Sequence, residues 1–210
     1  MIKVGINSAG YATRVFHEPF LRALPQFEIV GIVDRKTEPR FPSYPVFTTY
    51  DAMLEDTQIE LVIITTPNHC HFDDARRAIL AGKHVLIEKP FATNSRDCQQ
   101  LIDLANQYQR QLCVYHNSRF DSDFATIQSI IRSEKLGKIV SLDINWYRLR
   151  SGLNTKIHKE MVENDGSGLL FDLSPHMIDQ SIQLFGFPVS VFADVGVQRS
   201  GSKVDDYYNI

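Results

Sequence analysis

A chain of 210 residues, 43% apolar and 22% charged, is long enough to bury a proper core in one large or two smaller α/β domains without disulfide staples. Its 22 basic and 25 acidic side chains leave a formal net charge of -3, which excludes the basic excess of a nucleic-acid binder. The three cysteines, Cys70, Cys98 and Cys113, are odd in number and widely spaced, so neither a disulfide framework nor a four-cysteine zinc site is expected. The N-terminal "MIKVGINSAGYATR" reaches glycine and polar residues too soon for a signal core, and no run of about eighteen apolar residues follows. A cytoplasmic protein that does not span a membrane is the expectation.

The first half alternates strand-like and helix-like segments: "IKVGIN", "TRVFHEPFLRAL", "FEIVGIVD", "IELVIITTP", "FDDARRAILA", "HVLIE", "SRDCQQLIDLANQYQ" and "LCVYHN". Ile2, Val4 and Ile6 alternate as a strand does, whereas Leu101, Ile102, Leu104, Ala105 and Tyr108 recur at helical intervals. This βαβ rhythm predicts an α/β fold, a Rossmann doubly wound parallel sheet over residues 1–118. After Arg119 the order changes to a helix from Ser122 to Glu134, an alternating "KIVSLDINWYRLR", a loop around Asp165, a helix ending at Phe185, then "PVSVFADVGVQ" and "DDYYNI". That order predicts an incomplete α+β domain over residues 119–210, with an antiparallel sheet and an exposed edge.

The first strand runs into "GINSAGYATR", where a dinucleotide fingerprint wants three glycines. Those positions hold Ser8, Gly10 and Thr13; Gly10 keeps the close-approach site, Ser8 offers a hydroxyl, and Tyr11 and Ala12 complete the turn. A plain strand-to-helix turn explains the motif equally well by itself. The second strand, however, ends at Asp34, 24 residues after Gly10, close to the spacing of about 20 at which an acid accepts from the adenosine ribose. Strand, turn, helix, strand and acid in that order favour NAD or NADP. Arg35 and Lys36 follow directly and could take a 2'-phosphate that Asp34 repels, so the choice between the two cofactors stays open.

Further strand ends bring Thr65, Thr66, Pro67, Asn68 and His71, then Tyr115, His116 and Asn117, to the edge where open α/β sheets bind ligands. His69, Cys70 and His71 do not read as metal ligands, because helical neighbours diverge and no further donors complete a set. In "KHVLIEKPFATN" a core strand exits into Glu88, Lys89 and Pro90. A solvated ion pair and a stop signal would explain the triplet. A lysine facing a reacting alcohol, aimed by an X-Pro bond of either isomer, explains it better at this edge.

The run "EKP", with "TPNHCH" before it and "YHNSRFDSDF" after it, resembles the glucose-fructose oxidoreductase / inositol dehydrogenase family (Gfo/Idh/MocA), and most closely its NADP-dependent scyllo-inositol 2-dehydrogenase branch. The resemblance implies that Lys89 is catalytic and that its bond to Pro90 is often cis. It also implies that "GSGLLFDLSPHMIDQSIQLFG" is the second signature, with Asp172 and His176 as its acid and histidine. From the residues alone, Asp172 and His176 at i and i+4 share a helix face, and His176 suits general acid–base work. Pro175 either kinks that helix or opens a new one capped by Ser174.

The resemblance implies hydride transfer between a nicotinamide cofactor and a secondary alcohol of a cyclic polyol or sugar, such as an inositol. Lys89 would polarise the oxygen, His176 would take the hydroxyl proton, and Asp172 would orient the histidine or bind a hydroxyl. Arg119, Tyr147, Arg148 and His158 are candidate substrate contacts, each equally readable as a surface or packing residue. Family members are longer, so a C-terminally truncated chain and a homo-oligomer at full length are expected. The alternatives are a nucleotide-binding remnant or a redox-sensing module, both without turnover.

Overall fold

The computed structural model describes residues 1–149, 152–153 and 166–210. The chain divides into two compact units, Met1–Tyr115 and His116–Ile210.

The first unit is a six-stranded sheet with every pair parallel. Its strands are β1 (Ile2–Ile6), β2 (Phe27–Val33), β3 (Val46–Phe47), β4 (Leu61–Ile64), β5 (His84–Glu88) and β6 (Leu112–Tyr115), in the order β3-β2-β1-β4-β5-β6. This is the doubly wound order, with its switch point between β1 and β4. The helices are α1 (Glu18–Ala23), preceded by a π-helical turn over Thr13–His17, then α2 (Tyr50–Glu55), α3 (His71–Leu80) and α4 (Ser95–Gln107). Thr49 and Asn94 cap α2 and α4 by accepting from Ala52 N–H at 3.2 Å and Asp97 N–H at 2.9 Å.

The near-continuous apolar strands are covered on both faces, as a parallel sheet requires. On one face Val62, Ile64, Val85 and Ile87 pack with Ala75, Ala78 and Ile79 of α3 and Leu101 and Ala105 of α4. On the other, Val4, Ile6, Ile32 and Ile63 pack with Leu21 of α1, and Leu86 lies against them. Two elements had no sequence expectation, α2 and the two-residue β3. The Phe47 ring of β3 occupies the space where a side chain on Gly31 would stand, so this short strand depends on a glycine in its neighbour.

The second unit contains α5 (Ser122–Arg132), α6 (Leu169–Phe185) and an antiparallel pair of β7 (Asp194–Gly196) with β8 (Tyr207–Asn209). Asp205 starts α6: its carbonyl accepts Leu169 N–H at 2.9 Å and its carboxylate accepts Leu170 N–H at 2.6 Å. The segment 138–149, expected as a strand, makes no ladder, and β7 is much shorter than "PVSVFADVGVQ". Alternation marks residues able to line a sheet face, but a strand forms only where another strand takes its backbone hydrogen bonds. Among the described residues no helix is long and apolar enough to cross a membrane. All three cysteines are free thiols.

Candidate active site

At the carboxyl end of β1 the buried Asn7 ties two loops together. Its Oδ1 accepts Thr65 N–H at 2.9 Å, and its Nδ2 donates to Asp74 Oδ2 at 2.9 Å. Thr13, wholly buried, stands at the third fingerprint position, and its hydroxyl donates to the Ser8 carbonyl at 2.5 Å and lies 3.0 Å from the Thr65 hydroxyl. A side-chain tie here replaces the close packing that glycine gives. Gly10 is required neither by a left-handed backbone nor by packing, since a Cβ there would meet only the Ser8 hydroxyl oxygen, at 3.3 Å. What glycine leaves open is the space in front of the turn. That is where the fingerprint seats a pyrophosphate, so the turn fits the group. Tyr11, next in the turn, is exposed and edge-on to Phe16, with the Arg14 guanidinium over its ring.

Asp34 follows β2 and is buried, but its carboxylate is already engaged. Oδ1 accepts Lys36 N–H at 3.1 Å and Oδ2 accepts Arg40 N–H at 3.0 Å. Burial raises the Asp34 pKa, yet these two N–H groups and the charges of Arg40 and Lys36 outweigh it and hold the carboxyl below its ordinary value. The Arg40 guanidinium reaches back to donate to the Ala9 carbonyl at 2.6 Å. The loop carrying Arg35 and Lys36 is thereby fastened to the glycine turn.

The end of β4 is built around Asp74, which also accepts from the Thr66 hydroxyl at 2.7 Å. Burial pushes the Asp74 carboxyl up, against the pull of Thr66, Arg77 and Asn7. Pro67 leads into a single 3-10 turn, Asn68–Cys70. His71 then lies wholly buried, with Nδ1 2.8 Å from the Pro90 carbonyl and Nε2 2.9 Å from the Thr66 carbonyl. Burial lowers the His71 pKa, while the two carbonyls and the charges of Glu88 and Asp74 pull it back. At the end of β5, Glu88 Oε1 lies 2.7 Å from His17 Nε2, and the Lys89–Pro90 peptide bond is cis.

In the second unit, α6 runs unbroken through Pro175. The Ser174 hydroxyl donates to the Leu170 carbonyl at 2.5 Å, four residues back, so Ser174 does not cap a new helix. Asp172 is half-buried and His176 buried, one turn apart, and the Trp146 ring stacks on the His176 imidazole at 5.8 Å. Asn117 opens a 3-10 turn, Asn117–Phe120, held to α6 by Arg119. The Arg119 fork donates to both Asp179 oxygens, at 2.7 and 2.6 Å. Among the described residues no cluster of His, Cys, Asp and Glu is arranged to hold a metal ion.

Comparison with known proteins matches residues 2–116 to the oxidoreductase family with an NAD-binding Rossmann fold, and residues 124–210 to the GFO/IDH/MocA C-terminal domain. The chain belongs to the Gfo/Idh/MocA oxidoreductase family. Over its whole length it is 39% identical to an uncharacterised oxidoreductase of Schizosaccharomyces pombe and 36% identical to the scyllo-inositol 2-dehydrogenase (NADP(+)) IolW of Bacillus subtilis. It covers 59% of each, so it spans about three fifths of these curated relatives. The solved structure of the Bacillus subtilis oxidoreductase YvaA superposes with a TM-score of 0.90 at 36% identity, over 99% of this chain and 60% of that one.

The other expected site residues have these surroundings. His71 has no exposed surface, and its ring nitrogens meet the Pro90 and Thr66 carbonyls, which ties the loop after β4 to the turn after β5. Arg119 has both arms of its guanidinium committed to Asp179. Tyr147 and Arg148 are exposed, with the Tyr147 hydroxyl donating to Asn145 Oδ1 at 3.0 Å. His158 lies outside the described residues. His17, Arg40, Asn7 and Asp74 escaped the sequence reading, since each acts through a partner far along the chain.

Proposed function

We propose that this protein serves reversible, NAD(P)-dependent oxidation of a secondary alcohol on a cyclic polyol or sugar of the inositol type. The observation that carries the reading is Lys89, set after a core strand at the ligand edge of a Rossmann sheet whose glycine turn is open in front of Gly10. The similarity to IolW supports an inositol-like substrate. A bound nicotinamide would supply the hydride acceptor. Ser8, Gly10, Tyr11 and Ala12 would receive the pyrophosphate, and Thr66, Pro67, Asn68, Glu88 and Asn117 would border the remaining cofactor. Arg35 and Lys36, which follow Asp34 directly, favour tolerance of the 2'-phosphate, with the charges of Lys36 and Arg40 set against that of Asp34.

The ammonium of Lys89 hydrogen-bonds the substrate oxygen and stabilises its developing negative charge. His176 removes the hydroxyl proton as the carbon–hydrogen bond breaks, and Asp172 orients the imidazole or binds a neighbouring hydroxyl. Arg148 and Tyr147 remain candidate substrate contacts, and self-association of the whole protein belongs to the same reading.

The test is steady-state turnover on a panel of cyclic polyols with NAD and NADP, with Lys89→Ala as the control. In a protein of the relatives' length, Lys89→Ala should keep cofactor affinity and lose about a hundredfold in turnover, the scale for removing one positioned donor. Retention of more than half the turnover would reject Lys89 as catalytic. Binding without turnover on any polyol would favour a nucleotide-binding module instead.

A further inference from the structure

Along β5, Val85 and Ile87 point to the α3–α4 face and Leu86 to the α1 face. Glu88 continues the alternation onto the α1 face. There His17 meets it, carried inward by the π-helical turn, with 2% of its side chain exposed against 13% for Glu88. The Tyr115 ring packs on the imidazole at 4.6 Å, and its hydroxyl donates to the Phe16 carbonyl at 3.0 Å. From the opposite helical layer His71 reaches the Pro90 carbonyl at 2.8 Å. Lys89 is the residue between these two holds.

We propose that His17 and His71, one from each helical layer, are positioning residues that fix the strand exit and so aim Lys89. The proposal rests on the reading of Lys89 as the catalytic lysine. Its physical basis is that a carboxylate and a carbonyl withdrawn from water need partners, and a buried imidazole supplies a directional one that few rotamers can satisfy. An apolar side chain of similar size would fill either site and fix nothing. A filler role affects stability alone, whereas a positioning role changes the surroundings of the Lys89 ammonium at unchanged cofactor affinity.

Reductive methylation of the 210-residue chain with isotopically labelled formaldehyde gives each lysine an NMR signal, with Lys89 assigned by its loss in Lys89→Arg. In the native chain we expect one sharp Lys89 signal. His17→Leu and His71→Leu should each move or broaden it, while the NAD(P)H dissociation constant, read by nicotinamide fluorescence, stays within about threefold. His17→Gln places an amide donor near the Nε2 position and should restore the native signal. An unchanged Lys89 signal in either folded leucine variant overturns the proposal. If both leucine variants unfold, Glu88→Gln, which keeps the shape and removes the charge, must shift the signal, and failure to do so overturns it as well. Absence of NAD(P)H binding in the native chain would count against the dehydrogenase reading alone, because the Lys89 signal reports the two holds without cofactor.

Discussion

The unit Met1–Tyr115 encloses its strands on both faces, with Val4, Ile6, Ile32, Val62, Ile63 and Ile64 all at 0% exposure. In His116–Ile210 the buried apolar residues among those described are Phe124, Leu173 and Val204, while Val140 is 91% and Phe192 82% exposed. Each large side chain taken fully out of water is worth about 1.5–3 kcal/mol, so the first unit has a core of its own and the second leans on polar ties. Those ties are Arg119 to Asp179, Asp205 to the start of α6, and Arg199 to Asp206 at 2.7 Å. The cofactor half is therefore self-sufficient, whereas the helix bearing Asp172 and His176 is held by a few contacts beside a wide apolar surface.

The largest effect should come from closing the open turn of the self-sufficient half. Gly10→Val is expected to weaken NAD(P)H binding more than about a hundredfold, since a branched side chain fills the approach to the turn. The fold should hardly notice, because a Cβ at this position meets only Ser8. Fluorescence titration beside thermal unfolding checks both halves of the statement, and full binding by the variant would remove the pyrophosphate from this turn.

The weaker half can be broken separately. Gly168 precedes α6 at a φ of 91°, and a Cβ there would overlap the Asp205 carboxylate that caps the helix. Gly168→Ala should cost about 2 kcal/mol through backbone strain and loss of the cap. The chain has a single tryptophan, and Trp146 stacks on His176, so its fluorescence follows the second unit during urea unfolding. The tryptophan transition should move to lower urea while NAD(P)H affinity holds. Loss of both together would show that the units unfold as one.

How far the sequence could be read follows the same division. Rossmann strands are apolar runs between turn residues, and a parallel sheet makes them legible because both of its faces are buried. Residues 138–149 of "KIVSLDINWYRLR" have equally good alternation yet form no strand, because alternation says nothing about whether a partner edge exists. The placement of Gly10, Asp34 and Lys89 just after strands was legible, because the apolar runs of β1, β2 and β5 mark where each strand stops. The grip of His17 on Glu88, 71 positions apart in sequence, left no local trace. Arg40 was hidden similarly, in a loop whose shape depends on Asp34 accepting two backbone N–H groups.

Within the first unit, Arg40 should matter more for NADP than for NAD. Its guanidinium ties the Asp34 loop to Ala9, and its positive charge, like that of Lys36, acts on Asp34. Arg40→Ala should weaken NADPH binding about tenfold, roughly 1.4 kcal/mol, and NADH binding less than about threefold. Equal losses for both cofactors would reduce Arg40 to a support for the turn.

The smallest effect concerns acid, and its sign follows from His71. Burial lowers its pKa in the folded protein below the ordinary 6.5, with Glu88, Asp74 and the two carbonyls opposing the shift. As pH falls through about 6.5, the unfolded chain takes up the proton before the folded one does, so stability declines from there until the folded imidazole is protonated too. Asp74 acts in the opposite sense at lower pH: its carboxyl is raised above 3.8, so the folded state gains protons first and recovers stability as pH drops through that window. Urea midpoints followed by far-UV circular dichroism at pH 7.5 and about 5.5 bracket the pH at which the unfolded imidazole titrates, and comparison with a variant lacking the ring isolates the histidine. The native chain should lose stability on acidification, and His71→Gln, which has no titrating ring, should lose less. An identical pH dependence in both proteins would mean that the imidazole titrates at the same pH folded and unfolded, and that its burial carries no electrostatic cost.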